Sequence, residues 1–109
     1  MSVKFDFGTL DAPFEADWPV TVSVPQDGGK TQEQVFTARF RLLGQAELEK
    51  AQESDNTDGF VEAFFVGLGE AEARELTPEL RAKIVGRPFV RVALLKAFRD
   101  FQTGIAAKN

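Results

Sequence analysis

Carboxylates are the most abundant side chains in this chain that could do chemistry. Its 109 residues hold 17 Asp and Glu but no His and no Cys. The commonest general base, the commonest metal ligand and every thiolate are therefore missing. Two neighbouring carboxylates can share a proton or hold a cation. The pairs Glu47/Glu49 and Glu70/Glu72 stand two residues apart, and such residues on a helix do not face each other. They read as solvated surface. Asp55-Asn56-Thr57-Asp58 lacks the alternating spacing and closing Glu of a calcium loop, so it reads as helix capping. Gly67-Leu68-Gly69 is followed by no Lys-Ser/Thr and sits in no βαβ unit, which excludes a phosphate loop. Ser2, Ser23 and Ser54 have no His to activate them and no Gly-x-Ser-x-Gly elbow around them. No nucleophile, base and oxyanion donor come together. The chain is expected to be non-catalytic, with no cofactor and no bound metal.

That leaves surfaces, and the last 24 residues offer one. Pro88 suits the first position of a helix. From there Val90, Leu94, Ala97, Phe98, Phe101 and Ile105 fall on one stripe, the core side of an amphipathic helix. Phe89, Val92 and Leu95 lie toward another side, among Arg91, Lys96 and Arg99. Phe89, Val92, Lys96 and Arg99 recur at steps of three, four and three, making one face of apolar area and cations. Either the rest of the domain covers the apolar part of that face, or the face receives an amphipathic or acidic segment of a partner.

The elements that must carry this helix follow from periodicity. Val3, Phe5 and Phe7 alternate as a short strand or an extended arm, and residues 8–17 read as a loop. Trp18, Val20, Val22 and Val24 alternate as a half-buried strand, and Pro19 either puts it at a sheet edge or makes it start after that residue. Asp27-Gly28-Gly29 supplies a turn that tolerates positive φ. In Val35–Leu42, Phe36, Ala38, Phe40 and Leu42 point one way while Thr37, Arg39 and Arg41 point the other. Residues 18–42 are thus a β-hairpin.

After Gly44 the period changes. Gln45–Glu53 reads as a helix with Leu48 and Ala51 available for packing. Residues 54–58 form a break. Phe60, Val61, Phe64, Phe65 and Leu68 mark a second helix that ends at Gly67 or Gly69. Thr77-Pro78-Glu79 starts a third, with Leu80, Ile84 and Val85 on its buried side and Gly86 as its stop. Arg87, preceding a proline, separates the fourth. Strands first and helices afterwards predict an α+β fold: an antiparallel hairpin, with a third short strand in play, then about four helices. One domain spans 1–109, divided into 1–17, the hairpin 18–42, the helical part 45–105 and a tail 106–109.

Hydrophobic residues make up 43 %, with 11 Phe, one Trp and no Tyr, enough for a single core at this length. No apolar run approaches the ~20 residues of a membrane span, and the first residues carry no signal-peptide core. Charge is uneven. Residues 1–80 hold 6 Lys/Arg against 16 Asp/Glu, and residues 81–109 hold 7 against 1. Either the acidic part packs beside the basic helices, or the basic end meets an acidic partner. No RNA-binding signature or zinc spacing accompanies the charge, so nucleic acid is not expected.

The order of short motifs carries a resemblance. Trp18-Pro-Val-Thr-Val22, Gly28-Gly-Lys30 and Phe36-Thr-Ala-Arg-Phe-Arg41 come first. Acidic helices follow, then Arg87-Pro-Phe-Val90 with an Ala-Leu helix and Phe98, and a Gly104-Ile-Ala-Ala-Lys-Asn109 end. Over most of residues 18–109 the chain resembles the tail assembly chaperones of long, non-contractile-tailed bacteriophages and prophages. The resemblance implies a non-enzymatic protein of the host bacterial cytoplasm, absent from the mature virion. Its implied partners are the tape-measure protein, a long aggregation-prone helix, and the tail-tube protein. The latter is reached mainly through an extended product of ribosomal frameshifting, and Lys108-Asn109 can be encoded by the slippery AAA-AAC. Weak self-association along the long partner is also implied. Phe89, Val92, Leu95, Lys96 and Arg99 are the expected contacts with the tape measure or with a neighbouring copy. Two other classes fit the residues: a small structural virion protein, such as a tail-tube or head–tail joining subunit, and a host-side adaptor.

Overall fold

The chain's C-terminal helix is clamped against a short antiparallel sheet. The computed structural model describes residues 3–10, 14–53 and 57–104. β1 (Glu15–Pro25) and β2 (Thr31–Arg41) form a hairpin of constant register, from Glu15 opposite Arg41 to Pro25 opposite Thr31. The Asp27–Gly29 turn joins them. Alternation places Val20, Val22, Ala38 and Phe40 on the inner face, all buried. β1 is an edge strand, the first of the two readings of Pro19.

α1 (Gln45–Glu53) follows, then α2 (Thr57–Phe64). Here the expectation of one helix through Leu68 is corrected. The helix stops at Phe64, and Phe65–Leu68 is β3, antiparallel to β2. The stripe was ambiguous because a short apolar run satisfies both periods. In the structure Phe64 packs among the core rings while Phe65 pairs opposite Phe40. The fold is the expected α+β class, and the third strand of its sheet, in the order β1-β2-β3, is Phe65–Leu68 and not the alternating Val3–Phe7 segment. Residues 3–6 carry no regular structure, and Phe7–Leu10 is a single 3-10 turn. A second reassignment concerns Leu42, which is 40 % exposed. The strand ends one residue earlier, and Leu43 takes the buried place.

Thr77 caps α3 (Pro78–Val85), its hydroxyl accepting the Leu80 N–H, as the Thr-Pro-Glu start predicts. Leu80, Ile84 and Val85 are half-buried. α4 (Pro88–Thr103) lies mainly across β1. Its Phe98 stacks on Phe64 with ring centroids 4.0 Å apart, and both rings sit edge-on to Phe40. Phe60 and Phe101 extend the cluster. This is where much of the chain's phenylalanine goes. Ile105, the tail 106–109, the 54–56 part of the break and the packing expected of Ala51 lie outside the described residues.

Candidate functional site

α4 positions the expected binding residues. Pro88 occupies its first turn, and Gly104 ends it in the left-handed conformation, at φ 76°, with its N–H on the Asp100 and Phe101 carbonyls. Sixteen residues make a rod about 24 Å long. Ala93, Leu94, Ala97, Phe98 and Phe101 are buried. Ala93 is an addition to the predicted stripe, and Val90 is only half-buried at its edge.

On the outer side, Val92, Leu95, Lys96, Arg99, Asp100 and Thr103 line a shallow groove of about 700 Å³. Val92 is 66 % exposed. Leu95 is half-buried against the core, so its outer part forms the groove's floor. Lys96 and Arg99 are exposed and form no ion pair with a described residue. The structure therefore brings four of the five expected residues together.

Phe89 is the exception. It is half-buried and packs against the core, lining a different groove with Val22, Phe36 and Leu68. α4 lies over the sheet, so Phe89 faces the groove beside the hairpin and not the side of Val92 and Lys96.

The acidic part forms ion pairs within itself. Arg39 pairs with Asp17 at 3.0 Å and with Glu15 at 3.6 Å, and Arg41 with Glu47 at 2.8 Å. All of these join residues of the first half. The Arg39 hydrogen bond, helped by the Glu70 N–H, holds the Asp17 carboxyl below its ordinary value. Arg41 does the same for Glu47.

One carboxylate departs from its expected role as solvated surface. Glu72 is half-buried, and its Oε2 accepts the Thr37 N–H at 2.7 Å. It caps the edge of β2 just where β3 ends. Its spacing from Glu70 gave no sign of this, because the partner is a backbone group 35 residues away.

Among the described residues no three His, Cys, Asp or Glu gather as a metal site. No helix there is long and apolar enough to cross a membrane. What the arrangement can do is bind: an apolar floor with two cations beside it suits an amphipathic segment carrying acidic residues. The chain has no significant match to any protein-family model, curated protein or solved structure.

Proposed function

We propose that this chain is a phage tail assembly chaperone that holds the tape-measure protein through the outer face of α4 and helps recruit tail-tube subunits, without catalysis. The observation that carries the reading is the groove of Val92 and Leu95 flanked by Lys96 and Arg99. A chaperone for a long amphipathic helix needs apolar area that competes with aggregation and charge that keeps the complex in solution. The motif order over residues 18–109 supports the same reading. So does the unpaired state of Lys96 and Arg99 among the described residues, since those cations are available to a partner's carboxylates. On this reading the protein acts in the host cytoplasm during assembly and is left out of the finished particle.

The test is co-expression with the long tape-measure product, using the wild-type chain and a Val92→Asp/Lys96→Asp variant. Both substitutions lie on exposed residues, so the variant is expected to fold and yet to leave the partner insoluble. A variant that solubilises the partner as well as the wild type overturns the assignment of this face.

The exposed apolar residues Val3, Phe5 and Phe7 favour a second reading, a ring-building structural subunit of the virion. Purified particles separate the two readings: a structural subunit is present in them and a chaperone is not.

A further inference from the structure

The sheet has an unfinished edge. The Thr37 carbonyl accepts the Gly69 N–H, and its own N–H goes to Glu72. The Thr37 backbone groups therefore point away from β1. In an unbroken antiparallel ladder this direction repeats every second residue, and the β1–β2 register is unbroken over this stretch. The N–H and C=O groups of Val35, Glu33 and Thr31 thus point the same way. β3 pairs only with Ala38–Phe40, so these groups meet no strand among the described residues. Beside them lies a groove of about 410 Å³, walled by Val22, Val24, Phe36, Ile84 and Phe89. A free strand edge next to an apolar groove is what an added β-strand requires.

The same chain carries a segment of that description. Val3, Phe5 and Phe7 are 90 %, 57 % and 71 % exposed and alternate with Lys4 and Asp6. As a strand, Val3–Phe7 would put its three apolar side chains on one face and its two charges on the other. Its five residues span about 17 Å, the length of Thr31–Val35. The arm joins the hairpin at the wrong end to be a simple continuation of β3. Phe14 accepts the Leu42 N–H, whereas Thr31–Val35 lies toward the hairpin turn.

We infer that the arm Val3–Phe7 of one copy adds as a strand to the β2 edge at Thr31–Val35 of a second copy, seating Phe5 and its apolar neighbours in the groove. Arm and acceptor are different surfaces of one molecule, so two copies can exchange arms in a closed pair, and an exchange that does not close runs on as a chain. This inference is independent of the chaperone reading, because it concerns the protein without any partner.

Light scattering on the full chain across a concentration series tests it, with two variants. Phe5→Asp/Phe7→Asp alters only exposed arm residues. Val35→Pro removes one outward N–H from a strand edge, where proline is tolerated. The wild type is expected to associate increasingly with concentration, and each variant alone to lose that association. The arm variant keeps a working edge and the proline variant a working arm, so mixing them is expected to give a one-to-one complex that grows no further. A wild type that stays monomeric at all concentrations overturns the proposal, whether the arm has folded onto its own edge or the groove serves another protein. So does an arm variant that associates like the wild type. If Val35→Pro fails to fold, the arm variant alone decides.

Discussion

Gly69 is buried where the end of β3 crosses β2. A Cβ there would run into the Thr37 methyl and lie 3.1 Å from the Asp17 carboxyl carbon. Gly69→Ala is expected to destabilise the fold by about 1–3 kcal/mol through overpacking, read as a lower urea midpoint. An unchanged midpoint would mean that Thr37 moves aside freely. Asp17, on the same spot, links Arg39 to the Glu70 N–H. Its carboxyl is held below its ordinary value, so its stabilisation is present above the unfolded pKa and is lost as pH falls through the folded one. The stability gap between wild type and Asp17→Asn should be constant above the ordinary carboxylate range and close as pH falls through that range and below it. A gap independent of pH would assign the effect to shape instead of charge. Little of this was legible beforehand. Glu70 and Glu72 look alike in sequence, and only the chain crossing decides that Glu72 caps Thr37 while Glu70 offers its backbone to Asp17.

Elements whose ends are marked by local chemistry could be read directly. The Thr77-Pro78 start of α3, the Pro88 start of α4 and the Asp27–Gly29 turn all stand where those residues put them. The α2–β3 junction could not be read, because no Gly, Pro or capping residue separates Phe64 from Phe65. Tertiary pairing with β2 decided it. The same holds for the site. The Val92, Lys96 and Arg99 stripe was visible at helical spacing, and the withdrawal of Phe89 depends on how α4 leans on the hairpin. Phe98 holds that lean, stacked on Phe64 and packed near Phe40. Phe98→Ala should cost about 3–5 kcal/mol, measured by chemical unfolding. A loss under about 1 kcal/mol would mean that α4 is held by its remaining contacts.

For the whole molecule, the separation of surfaces matters most. The core of rings and the sheet lie on one side of α4, and the groove with Lys96 and Arg99 lies on the other. Changes to the groove can therefore alter binding without altering the fold, and changes to the core cannot be confined in that way. Because Lys96 and Arg99 are exposed, their contribution to binding an acidic helix should be screened by salt. Raising ionic strength from about 0.05 to 0.5 M should weaken the complex but leave its apolar part intact. A complex insensitive to salt would place its contacts elsewhere. The most direct measurement of the central claim is size-exclusion chromatography with light scattering on the chain co-expressed with the long tape-measure product. The account predicts a soluble complex with many copies of this chain on one partner. A chain that elutes alone while the partner aggregates would contradict it.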